Sequence, residues 1–102
     1  MEISDFQLRS SLTLDNNKSD QMNISFFAEK LKEETAEVLF EIFPSNPDKD
    51  FDKVKLTNEL GDLIRVCSQL ATLHEINLSA VLIGNLDKME ARFKNNKSGR
   101  CD

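Results

Sequence analysis

Glycine and proline are scarce in this chain, with 3 glycines and 2 prolines among its 102 residues. Tight turns depend on these two residue types, so the composition favours helices over a sandwich or barrel of short strands. Hydrophobic residues make up 39% and charged residues 30%, which is typical of a globular chain. The length fits a single domain, residues 1–102, with a core at about 24–93 and a polar tail at 94–102.

The charge and the apolar pattern argue against several partners and locations. The formal net charge of −5 disfavours duplex nucleic acid, because binding to its backbone needs clustered lysine and arginine. No segment approaches the roughly 18 apolar residues of a membrane span, and the N-terminus lacks an apolar run of the signal-peptide type. Cys67 and Cys101 form no metal or redox motif, and Cys67 is expected in the core. We therefore expect a cytoplasmic protein with no membrane partner.

Apolar spacing predicts four helices, which we expect to pack as an antiparallel all-α bundle. They cover about residues 3–14, 24–43, 52–75 and 78–94. Asn23 or Ser25 is expected to cap the second helix. The apolar stripe of the third helix comprises Leu56, Leu60, Leu63, Cys67, Leu70 and Ala71, and that of the fourth comprises Leu78, Leu82, Leu86, Met89 and Phe93.

The second predicted helix gathers negative charge on one side. At about 100° per residue, Glu34, Glu37 and Glu41 fall within about 60° of one another. Glu33 and Glu37 form a like-charge pair four residues apart, which destabilises a helix by a few tenths of a kcal/mol. A solvated face would account for Glu29 and Glu41, but the concentration of acids needs a further explanation.

Two more acids, Glu59 and Asp62, lie among the leucines of the third helix. Leu63 and Leu56 lie about 40° and about 60° from Glu59 on a helical wheel, so Glu59 falls inside the apolar stripe. A bare carboxylate facing a core costs several kcal/mol or gives up its charge. A multivalent cation removes that cost, although a buried glutamate paired with lysine or arginine remains an alternative.

Magnesium fits such carboxylates best, because it is a hard ion that takes oxygen ligands and keeps waters that a phosphate can replace. Two antiparallel helices with carboxylates at i and i+3 can converge on one ion, which places Glu34 and Glu37 opposite Glu59 and Asp62. Gly61 costs the helix about 1 kcal/mol relative to alanine, and it would let a ligand or another helix approach closely.

These acids form two motifs. Residues 33–37 read E-E-x-x-E and residues 59–62 read E-x-x-D, with 21 residues between them. Together, at this separation and on helices, they resemble the MazG-like family of all-α nucleoside triphosphate pyrophosphohydrolases over about residues 24–93.

The resemblance implies Mg²⁺-dependent hydrolysis of a (d)NTP to its monophosphate and pyrophosphate, with Mn²⁺ able to substitute. It implies a homodimer or a dimer of dimers, and a house-cleaning role towards noncanonical or excess dNTPs. The implied metal ligands are Glu34, Glu37, Glu59 and Asp62. Glu33 would orient or deprotonate the attacking water.

The fourth predicted helix offers polar groups for the phosphates. Asn85, Lys88 and Arg92 fall within about 60° of one another, and the resemblance implies phosphate contacts in this region. Solvent-exposed polar residues at a helix edge are the alternative interpretation.

Two other functions stay open. A phosphoribosyl-ATP pyrophosphohydrolase shares the acids, but GDLIRVCS (61–68) lacks the Tyr-His expected after the aspartate of such enzymes. A non-catalytic helical dimerisation module would keep the acids for structure alone. With no Trp or Tyr, a stacked base would need a phenylalanine (Phe6, Phe26, Phe27 or Phe93), so base and sugar preference are not predicted.

Overall fold

The computed structural model describes residues 1–44 and 50–96 as a succession of four helices. They are α1 (Ile3–Ser11), α2 (Asp20–Ile42), α3 (Lys53–Leu73) and α4 (Leu78–Asn95). No strand occurs within these described ranges, so the prediction of an all-α protein with four helices is confirmed. Most of the expected loop between the second and third helices, residues 45–49, lies outside the described residues.

The start of α2 differs from the expectation. Ser19 is its N-cap, and the Ser19 hydroxyl accepts a hydrogen bond from the Met22 N–H at 3.2 Å. The predicted caps, Asn23 and Ser25, were therefore wrong, because the helix begins within the segment that looked like a polar linker. Asn23 is buried instead, and its Nδ2 donates to the Asp15 carbonyl at 3.1 Å.

The end of α3 adopts a left-handed cap without glycine. Glu75 has φ 58°, and the Ile76 N–H donates to the Ala71 carbonyl at 2.8 Å while the Glu75 N–H donates to the Thr72 carbonyl at 3.0 Å. This pair of bonds defines a Schellman motif, which satisfies carbonyls that the helix end would leave unpaired. After the motif Asn77 caps α4 by accepting from the Ala80 N–H at 3.0 Å.

Two glutamines attach α1 to the rest of the chain. Gln69 on α3 is fully buried, and its Nε2 donates to the Ser10 carbonyl at 2.7 Å and to Thr13 Oγ1 at 3.0 Å. Gln7 on α1 donates to the Ile76 carbonyl and accepts from the Leu78 N–H, both at 2.8 Å. Ser10, near the end of α1, contacts Gln69 within α3, whereas Gln7, earlier in α1, contacts residues that follow the end of α3. Helix α1 therefore runs antiparallel to α3.

The principal helix pair is α2 with α3, whereas α4 contacts only α1 and α3. The axes of α3 and α4 are bent by 110°. Within the described ranges no single helix is long and apolar enough to cross a membrane, and only this bent pair, taken together, has the required length and composition.

The core of the described chain is small. Its buried hydrophobic residues are Phe27, Val38, Val66, Ala71 and Leu78. Cys67 is exposed and Leu60 is 42% exposed, so two of the residues expected on the buried side of α3 were misplaced. On α4 only Leu78 of the expected stripe is buried, because no other helix among the described residues covers the remainder.

Candidate metal centre

Three carboxylates from two helices converge between α2 and α3. Glu34 belongs to α2, Glu59 and Asp62 belong to α3, and one carboxylate oxygen from each lies within 4.8 Å of the others. Asp62 follows Glu59 by three residues, so both project towards the same side of α3. The packing of α2 against α3 then brings Glu34 opposite them.

The electrostatics of Glu59 reflect this convergence. Its pKa is raised above the ordinary glutamate range, first because partial burial removes water from its carboxyl group. Repulsion by the neighbouring carboxylates of Glu37, Glu34 and Asp62 raises the pKa of Glu59 further. A side-chain hydrogen bond between Glu59 and Glu34 acts in the same direction. The position of Glu59 among leucines was therefore an informative signal in the sequence.

The donor set fits a hard divalent cation. All three groups offer carboxylate oxygen, and their mutual spacing allows one ion to contact each of them. The lysine–carboxylate pairs found in the described ranges involve other acids: Lys18 with Asp15, Lys30 with Glu33 and Lys32 with Glu29. A cation here would favour the ionised form of Glu59 and remove the repulsion that raises its pKa.

The other two acids of the first motif have different surroundings. Glu37 is exposed, yet it is the strongest charged influence on Glu59, so it lies beside the three converging carboxylates. Glu33 is exposed and its Oε2 lies 3.4 Å from Lys30 Nζ. The roles suggested for Glu33 and Glu37 stay predictions.

Two features beside the acids bear on whether a ligand can approach them. Glu37, Ala36 and Phe40 line an open cavity of about 390 Å³, and Phe40 is 47% exposed. The sequence reasoning did not select Phe40, although its spacing of three residues from Glu37 places it on the same side of α2. A Cβ added at Gly61 would meet nothing within 4 Å, so no neighbour within the described chain requires a glycine there.

The polar residues proposed for phosphate binding are not brought to the acids within one chain. Asn85, Lys88 and Arg92 are exposed on α4, and α4 makes no contact with α2. Their role stays a prediction.

Fold and site together define a class: an all-α domain whose two longest helices gather carboxylates at one point. The family model of the MazG nucleotide pyrophosphohydrolase domain matches residues 23–96. The chain therefore belongs to the MazG nucleotide pyrophosphohydrolase family, as its two acidic motifs suggested. No curated protein and no solved structure matches the chain.

Proposed function

We propose that the protein hydrolyses a nucleoside triphosphate between its α- and β-phosphates, giving a nucleoside monophosphate and pyrophosphate. The observation that carries this proposal is the convergence of Glu34, Glu59 and Asp62 within 4.8 Å. Membership of the nucleotide pyrophosphohydrolase family supports the choice of reaction.

In this proposal Glu34, Glu59 and Asp62 hold Mg²⁺, or Mn²⁺ in its place, and Glu37 adds negative charge beside them. A cation held by these carboxylates would supply positive charge against the phosphate oxygens and the leaving group. Water attacks the α-phosphorus, the bond from that phosphorus to the bridging oxygen breaks, and pyrophosphate leaves. Glu33 orients the water and accepts its proton, for which its carboxylate must turn away from Lys30.

We further propose that the working form is a homodimer or a dimer of dimers. The chain exposes 7843 Å², whereas a folded monomer of 11.6 kDa exposes about 5,800 Å². The surplus of roughly 2,000 Å² exceeds the roughly 800 Å² that each partner buries in a standard interface. The radius of gyration of 16.7 Å is also above the about 13 Å expected of a compact chain of this length.

The face that a second copy would cover lies on α4. Its apolar stripe is about half exposed at each position: Leu82 45%, Leu86 52%, Met89 45% and Phe93 53%. Helical spacing places these four side chains in one row, as in helices that pack against another helix. We propose that the same association delivers Lys88 and Arg92 of one copy to the carboxylates of the other.

A substrate panel tests the reaction. Purified protein is incubated with Mg²⁺ and each (d)NTP or phosphoribosyl-ATP, pyrophosphatase is added, and released phosphate is measured together with the nucleotide product. We expect monophosphate and pyrophosphate in equal amounts, with turnover abolished by EDTA. A matched control is Glu29→Gln, which removes an exposed carboxylate of α2 and should leave turnover unchanged.

Two results would contradict the proposal in different ways. Turnover of phosphoribosyl-ATP alone would assign the protein to that reaction. The absence of turnover of every nucleotide, together with no Mg²⁺-dependent rise in melting temperature, would identify a non-catalytic helical module.

A further inference from the structure

A second cavity lies between α3 and the N-terminal helix α1. Its volume is about 410 Å³, and its lining comprises Met1, Phe6, Arg9, Ser10, Thr13 and Arg65. Helix α1 lies outside residues 23–96, the part of the chain that matches the family model. The cavity is therefore built partly from residues that the family match does not include.

Two arginines face this cavity without using the acids nearest to them in the chain. Asp62 precedes Arg65 by three residues and Asp5 precedes Arg9 by four, and both spacings normally allow an ion pair on a helix. Neither pair forms, whereas lysines elsewhere in the described ranges do pair with acids three residues away. Arg9 is directed instead at Met1, with its guanidinium nitrogen 3.9 Å from Sδ.

Arg65 is half-buried and lines the cavity, and its guanidinium forms no ion pair with a carboxylate of the described residues. A charged group in that position is stabilised by an anionic ligand, and guanidinium matches phosphate geometry through paired N–H donors. The chain as a whole is acidic, with a net charge of −5, so two arginines that line one cavity without a carboxylate partner are unusual here.

The cavity and the carboxylate cluster are built on the same helix, because Arg65 lines the cavity and Asp62 belongs to the cluster. Arg65 follows Asp62 by one helical turn, so it lies about 4.5 Å further along the axis of α3. The wall on the α1 side is held in place by buried Gln69, whose Nε2 bonds to Ser10 and Thr13 fix two lining residues. A polyphosphate held by a cation at Asp62 would thus extend towards the cationic wall formed by Arg65 and Arg9.

We propose that Arg65 and Arg9 bind the phosphates of the substrate that the metal does not hold, an inference that rests on the proposed function. Phe6, which is half-buried in the same cavity, then contributes to the wall and is not the platform for the base. Arg65 acts as a binding residue, and its removal weakens substrate affinity more than it slows the chemical step.

The test measures binding of inorganic pyrophosphate to the full chain by calorimetry in EDTA, so that neither base nor metal takes part. Arg65→Ala and Arg9→Ala should each weaken pyrophosphate binding about tenfold or more, whereas Arg65→Lys, which keeps the charge but loses the paired donors, should lie between. The matched control is Lys32→Ala, which removes one exposed cation from α2 and should bind as the wild type does.

The same variants are then assayed for turnover with Mg²⁺. We expect Arg65→Ala to raise KM for the triphosphate about tenfold or more, with a smaller change in kcat, and circular dichroism should show unchanged helix content. Wild-type pyrophosphate affinity in both alanine variants would overturn the inference, as would a KM change that depends on the base.

Failure of the inference and failure of the proposed function are distinguishable. If the wild type hydrolyses a nucleotide but its pyrophosphate affinity does not depend on Arg65, the proposed function is supported and phosphate binding by the arginines is contradicted. If the wild type hydrolyses no nucleotide, the function fails whatever the pyrophosphate measurement gives.

Discussion

At the scale of single residues, Glu59 links the folding of the protein to its chemistry. The residue is half-buried beside other acids, and its pKa is raised by desolvation first and by Glu37, Glu34 and Asp62 next. The ionised carboxylate of Glu59 destabilises the metal-free protein, whereas the same carboxylate is a favourable ligand when a cation occupies the site. The same residue should therefore destabilise the metal-free fold and be required for turnover.

The raised pKa sets the direction of a pH dependence. Folded Glu59 keeps its proton at pH values where unfolded Glu59 has lost it, so its contribution to stability is largest at low pH. That contribution is lost as the pH rises from the ordinary glutamate pKa of about 4.3 through the raised value. Mg²⁺ should restore stability on the high-pH side of this window.

Glu59→Gln tests this assignment. Urea unfolding in EDTA, at pH values from about 4 to about 8, should show a weaker fall in stability with rising pH than the wild type shows. The variant should also lose both turnover and the Mg²⁺-dependent rise in melting temperature. Unchanged kcat/KM in Glu59→Gln would rule out a ligand role, and Glu29→Gln is again the control.

At the scale of helices, the junction between α3 and α4 carries a conformational cost. Glu75 adopts the left-handed conformation at φ 58°, which costs a residue with a Cβ roughly 1 kcal/mol or more. The Schellman hydrogen bonds and the cap by Asn77 compensate for this cost and direct α4 away from α3. Glycine would adopt the same conformation without strain.

Glu75→Gly should accordingly stabilise the protein by about 1 kcal/mol and raise its melting temperature by about 4–8 °C. The measurement is thermal unfolding followed by circular dichroism. Glu90→Gly is the matched control, because the same change in the exposed interior of α4 should destabilise by about 1 kcal/mol. A lower melting temperature for Glu75→Gly would show that the Glu75 side chain contributes more than its backbone costs.

The helices themselves could be predicted from the sequence, but their burial could not. Apolar spacing identified four helices, because that spacing is a property of each segment alone. The start of α2 was missed because Ser19 precedes the first apolar residues of the helix, whereas Asn23 and Ser25 lie beside them. Cys67, Leu60 and most of the α4 stripe were misplaced because a wheel indicates which face is apolar but not whether the chain itself covers that face.

The candidate site was predictable to a similar degree. The spacing of Glu59 and Asp62, and the position of Glu59 among leucines, indicated a shared site that the structure brings together with Glu34. The cavity at Arg65 was not predictable, because it depends on how α1 packs against α3. That packing is directed by Gln7 and Gln69, whose long-range hydrogen bonds leave no periodic pattern in the sequence.

At the scale of the whole molecule, the small core and the large exposed area support the proposal that the chain associates with itself. Leu86→Glu places a charge in the exposed apolar row of α4, and we expect it to convert an oligomer into a monomer of lower stability. Analytical ultracentrifugation at several protein concentrations measures the outcome. Ala91→Glu is the control, since Ala91 lies opposite the row at about 180° from Leu82 and is also exposed. A monomeric wild type, or an oligomer that Leu86→Glu leaves intact, would contradict the proposed association.

The open row on α4 has a consequence for the protein inside a cell. If two copies cover this row for each other, as proposed, folding and association share one equilibrium, and the active fraction rises with the abundance of the chain. A modest fall in expression would then remove a disproportionate part of the activity, and dilution would inactivate the protein without any inhibitor. The exposed face of one helix would thus set a threshold concentration for activity.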